Sequence, residues 1–231
     1  MLVDVVIPAF NEQGAINNVI ADIPKDLTRE IIVVDNNSSD KTAEIANKAG
    51  AKVLFEKNRG YGCACLKGVD YIKSKSVKPD LVVFIDGDYS DYPSQMKDVI
   101  EPIVSKNADM VIGSRSLGNM EPQAMPFQQR FGNWLSTSLI YLIYRYKYTD
   151  LGPFRAIKFN RLIELKMQDK TFGWTVEMQL KAVKKKMHII EVPVNYRQRI
   201  GVSKISGTFK GTILAGYKII VSIFKYAVIK I

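Results

Sequence analysis

The run Val82-Val83-Phe84-Ile85, followed at once by Asp86-Gly87-Asp88, constrains this chain more than any other stretch. Consecutive β-branched and aromatic residues of this length predict a strand buried on both faces, the habit of a parallel sheet covered by helices on either side. Two carboxylates spaced by one glycine then stand just past the strand's carboxyl end, where open α/β sheets bind their ligands. Hard carboxylate oxygens suit Mg2+ or Mn2+, and Gly87 permits a tight turn and close approach of a ligand to the backbone. A phosphorylated substrate held through a metal ion is the resulting expectation. Its alternative is an ordinary Asp-Gly turn with both acids in solvent, against which the rest of the chain must argue.

The surroundings carry the same pattern. Strand-like runs at 2–7, 30–34, 52–55, 81–85 and 109–112 alternate with helix-like segments at 12–21, 40–49, 61–74 and 94–104, which predicts an α/β fold with a doubly wound, Rossmann-like sheet. Ser39 or Asp40 is placed to cap the second helix. After residue 115 the alternation fades: 127–147, 160–167 and 175–187 read as helices, 153–159 and 188–199 as strands. The first strand ends in Pro8-Ala9-Phe10-Asn11-Glu12 and the second in Asp35-Asn36-Asn37-Ser38-Ser39-Asp40, so three strand ends bring polar groups to one crevice.

Composition narrows the partners. Thirty-three Lys and Arg against 23 Asp and Glu give a formal charge of +10, which favours nucleotide phosphates, nucleic acid or an acidic membrane surface without choosing among them. Nucleic-acid binding has only that charge behind it. Cys63 and Cys65, two apart on a predicted helix, point in different directions and predict neither a disulfide nor a metal pair. Gly60-Tyr61-Gly62 lacks the third glycine of a dinucleotide fingerprint and follows the third strand rather than the first. His188, the only histidine, opens an apolar strand and reads as structural. The strand-like Leu2–Ile7 lacks the features of a signal peptide, and a cytoplasmic protein is expected.

In order, Val6-Ile7-Pro8-Ala9-Phe10-Asn11-Glu12, Val33-Val34-Asp35-Asn36-Asn37-Ser38-Ser39-Asp40, Asn58-Arg59-Gly60, Asp86-Gly87-Asp88 and Gly113-Ser114-Arg115 resemble the family 2 glycosyltransferases of GT-A fold. The late basic motif Arg199-Ile200-Gly201-Val202-Ser203-Lys204 is most similar to that of the polyprenyl-phosphate (dolichyl-phosphate) hexose synthases. The resemblance implies inverting, metal-dependent transfer of a hexose from a nucleoside-diphosphate sugar, of the UDP-glucose or GDP-mannose class, to a polyprenyl phosphate. Donor contacts are implied for Pro8, Ala9, Asn11, Glu12, Asp35 and Gly60, and for Asp86, Gly87 and Asp88. The metal, Mg2+ or Mn2+, would rest on Asp88, with Asp86 beside it and Asp91 as a further candidate. Arg115, Arg199, Ser203 and Lys204 would face the diphosphate and the acceptor phosphate, with Arg115 also counted among the catalytic groups. The implied division is a nucleotide-sugar half at 1–115, an acceptor-side half at 116–205 and an amphipathic helix at 206–231.

The chain departs from the family pattern at Asp35-Asn36, where two Asp are common, and at Ser90, where the polyprenyl-phosphate enzymes often carry Gln. Glu177 falls where the family's acceptor-side carboxylate lies. With a sugar-hydroxyl acceptor, the alternative reading, it would be the general base; with a phosphate acceptor it would only position groups. A reading from another class is a non-catalytic nucleotide-binding module at a membrane surface. Residues 211–231 are apolar but broken by lysines, too charged for a good span, and suit an interfacial helix, with Ile213, Leu214, Ile220, Ile223 and Phe224 for the lipid and Lys218, Lys225 and Lys230 for anionic head groups. A second interfacial candidate is 134–148, with Trp134, Tyr141 and Tyr144. The expected location is peripheral, on the cytoplasmic face of a membrane.

Overall fold

The computed structural model describes residues 1–201 and 209–229, with 209–215 given by backbone alone. Its elements run β1 (Val3–Ala9), α1 (Ile16–Asp22), β2 (Glu30–Asp35), α2 (Thr42–Lys48), β3 (Lys52–Phe55), α3 (Tyr61–Ser74), β4 (Leu81–Phe84), α4 (Met96–Ser105), β5 (Met110–Ser114), α5 (Phe127–Tyr144), β6 (Arg155–Lys158), α6 (Phe159–Glu164), α7 (Trp174–Lys184), β7 (Ile189–Pro193) and α8 (Phe209–Val228). The seven strands form one sheet in the order β3-β2-β1-β4-β6-β5-β7. The expected α/β architecture is present, with helices on both faces and a sheet that is parallel except at β6.

The central strands carry the apolar runs. β1 is buried at every position and pairs in parallel with β2 on one side and β4 on the other, Val5 standing opposite both Ile31 and Val83. Alternate residues feed opposite layers. Val6, Ile32, Val34 and Phe84 pack with α3, α5, α7 and α8, whereas Val5, Ile7, Val33 and Val83 pack with α1 and α4. Because the chain turns toward β2 and β3 on one side of β1 and toward β4 on the other, a crevice opens between the carboxyl ends of β1 and β4.

The second half completes this same sheet. β6 enters between β4 and β5 and runs antiparallel to both, Phe84 facing Arg155 and Val82 facing Ile157. An apolar run predicts a strand but not its direction, which explains why the sheet read from sequence held no such insertion. β7 pairs with β5 in parallel but stops at Pro193, which has no N–H to donate, rather than continuing to Arg199. Residues 194–200 instead cross the carboxyl edge of the sheet as a strap, donating from the amides of Val194, Arg197 and Ile200 to the carbonyls of Ser114, Ser90 and Asp88. Neither candidate is the N-cap of α2: Lys41 holds that position without a side-chain cap bond, and Asp40, one residue earlier, accepts the Thr42 amide on its Oδ1 at 2.9 Å.

Trp174, at the start of α7, joins the halves. It is fully buried, its ring 4.7 Å from that of Phe84 and 6.2 Å from that of Tyr61, both edge-on. Beside it the amino end of α3 approaches the segment before α7 so closely that a Cβ on Gly62 would lie 2.0 Å from the Asp169 carbonyl, so only glycine fits. The C-terminal helix is a packed helix as well as an amphipathic one. Ile223 and Tyr226 are buried, and the Tyr144 hydroxyl donates to the Ile223 carbonyl at 2.6 Å. Ile223 therefore faces the core and not a lipid phase, while Tyr217, Phe224 and Val228 remain exposed. Trp174→Ala should cost about 3–5 kcal/mol, since the rings of Phe84 and Tyr61, held by their own elements, cannot collapse into the space left, and urea denaturation would measure the loss.

Candidate active site

A cavity of about 280 Å3 lies in the crevice between β1 and β4, walled by Pro8, Ala9, Phe10 and Glu12 from the end of β1 and by Asp86, Gly87 and Asp88 from the end of β4. Asn36, Arg59, Gly60 and Tyr61 close another side, and Phe172 and Arg199 reach it from the second half. The sequence motifs thus meet in space. Arg59 covers the Phe10 ring with its guanidinium 3.7 Å from the centroid, a pair that makes a flat, partly cationic wall.

The second position of the Asp35-Asn36 pair has a definite place. Asn36 donates from Nδ2 to the carbonyls of Glu56 and Asn58, at 3.1 and 2.7 Å, and its Oδ1 accepts the Gly60 amide at 2.8 Å. It thereby ties the end of β2 to the loop that carries Arg59. Asp35 stands back from the cavity wall, its Oδ1 taking the Ser38 amide at 3.2 Å. Asn11, in the left-handed region at φ 54°, likewise organises rather than lines the site: its Oδ1 accepts the Ser39 amide and its own amide donates to Ser38 Oγ.

The two carboxylates after β4 differ. Asp86 Oδ1 accepts the Tyr61 hydroxyl at 3.0 Å, and burial pushes the Asp86 carboxyl upward against the opposing pull of Arg199 and of that hydrogen bond. Asp88 is buried; its Oδ1 receives both the amide and the hydroxyl of Ser90, at 2.9 and 2.5 Å, whereas Oδ2 has no hydrogen bond and is ion-paired with Arg199. Ser90, one of the departures from the family pattern, therefore orients Asp88. Among the described residues no three His, Cys, Asp or Glu side chains stand together to hold a metal. A cation here would depend on one or two carboxylates and on oxygens brought by a ligand and water, which is the habit of Mg2+. Asp88 Oδ2, buried without a hydrogen bond and held only by its ion pair with Arg199, is the oxygen that would take such an ion in exchange for that guanidinium.

Other candidates lie outside the cavity. Arg115 is held in a two-pronged pair with Asp150, Nε to Oδ2 at 2.8 Å and Nη2 to Oδ1 at 2.7 Å, which keeps it firmly charged despite its burial. Glu177 is fully buried between α7 and α8: it accepts the amides of Gln168 and Asp169 and the Tyr226 hydroxyl, and pairs with Lys181 at 2.7 Å. A carboxylate so engaged holds the core together and does not line the cavity. Ser203 and Lys204 lie outside the described residues. Sequence reasoning passed over Phe172, and it met Tyr61 only in a predicted helix and in the incomplete dinucleotide fingerprint Gly60-Tyr61-Gly62.

Residues 4–171 match the family described as Glycosyl transferase family 2. A dolichyl-phosphate hexose transferase of Haloferax volcanii is 30% identical over 220 residues, covering 94% of this chain and 91% of that protein. A UDP-N-acetylglucosamine–dolichyl-phosphate N-acetylglucosaminyltransferase of Methanococcus voltae is 28% identical, covering 84% of each. In fold, the chain is similar to the crystal structure of glucosyl-3-phosphoglycerate synthase from Mycobacterium tuberculosis in complex with Mn2+, UDP and glucosyl-3-phosphoglycerate, with a TM-score of 0.76 at 19% identity, covering all of this chain and 81% of that one.

Asp91 introduces a pH dependence. It is 1% exposed, both carboxyl oxygens lack a hydrogen-bond partner, and burial, with Asp86 and Asp150 nearby, raises its pKa from 3.8 to about 7 despite the opposing charge of Arg115. The folded protein therefore holds a proton that the unfolded chain releases between about pH 4 and 7, and stability falls as pH rises through that window. Asp91→Asn should flatten this dependence in metal-free protein: relative to the variant, wild type should lose on the order of 3–4 kcal/mol between pH 4 and 8 in urea denaturation.

Proposed function

The chain belongs to glycosyl transferase family 2, and from that premise we propose that it passes a hexose from a nucleoside-diphosphate sugar to a polyprenyl phosphate at a membrane surface. It is a glycosyltransferase of GT-A fold. What carries the proposed acceptor is the state of Glu177. The carboxylate in the position of an acceptor-side base is consumed by Lys181, Tyr226 and two amides, and a phosphate acceptor, already anionic near neutral pH, needs no base. The names of the Haloferax and Methanococcus relatives, a dolichyl-phosphate hexose transferase and a dolichyl-phosphate N-acetylglucosaminyltransferase, favour the same class.

In this reading the nucleoside lies against Pro8, Ala9, Phe10 and Arg59, with Asn36 and Gly60 fixing the loop beside it. Asp88, with Asp86 beside it, would hold a divalent cation, Mg2+ or Mn2+, that offsets charge growing on the departing diphosphate. Neighbours of the same fold bind Mn2+ and UDP, which supports that assignment. An oxygen of the acceptor phosphate attacks the anomeric carbon from the face opposite the diphosphate. The bond from that carbon to the diphosphate oxygen breaks, its electron pair leaves with the nucleoside diphosphate, and the anomeric configuration inverts. Arg199 sits where two anions must approach one another, and its cation reduces their repulsion. Ser203 and Lys204 are assigned to the acceptor phosphate, and Arg115 to the diphosphate, on the resemblance alone.

A polyprenyl chain stays in the bilayer, so the acceptor reaches the cavity only if the protein rests on the surface. No helix among the described residues is long and apolar enough to cross a membrane. α5 and α8 pack against each other and leave Phe127, Phe131, Trp134 and Leu142 exposed on the one, Tyr217 and Phe224 on the other. The rings of Phe127, Phe131 and Trp134 follow one another at 6.4 and 5.7 Å along one face of α5, with Arg130 exposed nearby. Aromatic rings with basic neighbours suit an anionic interface.

Two experiments test these assignments. Sugar nucleotides screened by thermal shift with Mn2+ should identify a donor worth about 2.7 kcal/mol of stability at 100 times its dissociation constant, and Asp88→Ala should abolish that stabilisation and lower turnover by about 100-fold or more. Absence of nucleoside-diphosphate release with every such donor and polyprenyl phosphate would refute the function. Intact protein should sediment with anionic liposomes in a salt-sensitive manner, and Phe131→Ser with Trp134→Ser should reduce both sedimentation and transfer to long-chain acceptors while donor binding persists. Unchanged sedimentation would move the membrane contact elsewhere.

A further inference from the structure

Arg197 belongs to none of the motifs above and does not line the cavity, yet it is bound directly to the loop after Asp88, donating to the carbonyls of Tyr89 and Asp91. The strap lies along this loop: the Arg197 amide donates to the Ser90 carbonyl and the Ile200 amide to the Asp88 carbonyl, both at 3.0 Å, and Asp91 pairs with Tyr196 in an antiparallel bridge. The Arg197 guanidinium lies over two rings of the loop, 3.3 Å from the centroid of Tyr89 and 4.1 Å from that of Tyr92. Its Nε donates to the Tyr89 carbonyl at 2.7 Å and its Nη2 to the Asp91 carbonyl at 3.3 Å. Asp22, which accepts the Tyr89 hydroxyl at 2.5 Å, stands 3.9 Å from the same guanidinium.

The loop needs such a clamp. Tyr89 adopts φ 64°, in the left-handed region that a bulky aromatic residue enters only when its surroundings over-determine it. This turn brings the Ser90 amide and hydroxyl onto Asp88 Oδ1 and leaves Oδ2 without a hydrogen bond, ion-paired with Arg199. A planar guanidinium stacks on rings and donates to two carbonyls together; a lysine ammonium offers neither the plane nor the fork.

We propose that Arg197 is a positioning residue for the cation end of the donor site, holding Tyr89 and Tyr92 so that Asp88 presents Oδ2 to the ion. The inference rests on the reading that Asp88 binds the donor's cation. It is tested by titrating the full chain with Mn2+ in the presence of UDP or GDP, whichever stabilises it, and following free Mn2+ by electron paramagnetic resonance. Melting in EDTA reports the fold separately. Arg197→Ala and Arg197→Lys should both weaken Mn2+ binding by about 10- to 100-fold in protein that is fully folded at the temperature of the titration. Wild-type affinity in Arg197→Ala, with a lowered melting temperature alone, would reduce Arg197 to a structural residue and overturn the proposal. Should Arg197→Ala not fold, Tyr92→Leu removes one ring beneath the guanidinium and should weaken Mn2+ binding by about 10-fold; unchanged affinity there overturns the proposal equally. Asp88→Ala separates the two readings. If wild type binds no Mn2+, or Asp88→Ala binds it as well as wild type, the cation assignment fails and the clamp with it. Loss in Asp88→Ala with none in Arg197→Ala removes the clamp alone.

Discussion

Everything at the cavity depends on the parallel pairing of β1 with β2 and β4. That pairing sets Ala9 opposite Asp35 at one side and, through Val6 opposite Phe84, starts the turn that ends in Asp86 and Asp88 at the other. Because side chains alternate along a strand, a slip of one residue would turn Asp4 and Ile7 to the wrong layers and carry the polar strand ends away from one another. The continuous apolar sequences of β1 and β4, sealed between two helical layers, make such a slip costly.

Buried charge is distributed with a clear division. Away from the cavity, each of several buried carboxylates is matched: Asp150 by Arg115, Glu177 by Lys181 and Tyr226, Asp4 by Arg29 and Lys75. Breaking one partner of such a pair would leave an uncompensated charge in a low-dielectric interior. Beside the cavity the matching is incomplete: both oxygens of Asp91 lack hydrogen bonds, and the second oxygen of Asp88 has only its ion pair with Arg199. Groups held at that disadvantage are typical of binding sites, where a ligand supplies the missing partner.

The second half of the chain serves the first. β6 brings the buried Arg155 to the carboxyl edge of the sheet, where it donates to the carbonyls of Leu151, Gly152 and Thr175 and secures the approach to α7. Trp174 then packs on Phe84, and Phe172, just ahead of it, closes the cavity over the ends of β1 and β4. The strap beyond β7 returns to the same edge and sets Arg199 against Asp88. The exposed aromatic rings of α5 and α8 lie on the helical layer packed by α3 and α7, the layer that also brings Tyr61 to the cavity.

Much of this was legible in residues alone. The apolar runs and strand-end motifs determined the α/β fold, the meeting of Pro8–Glu12 with Asp86–Asp88 and the family, because short-range periodicity and turn chemistry are written locally. Tertiary packing decided what no local pattern encodes. The antiparallel sense of β6 follows from where its connections land, not from Arg155–Lys158 themselves. Glu177 has the look of an acceptor-side base in sequence, but the docking of α8 encloses it with Lys181 and Tyr226. Ile223, by the same docking, faces the core rather than solvent, and Arg115 belongs to Asp150, thirty-five residues away in the chain. Arg197 and Arg199 differ by two places in one basic run; only the strap's path across the sheet edge turns one onto Tyr89 and Tyr92 and the other onto Asp88, since which way an irregular segment presents its side chains is set by what it packs against.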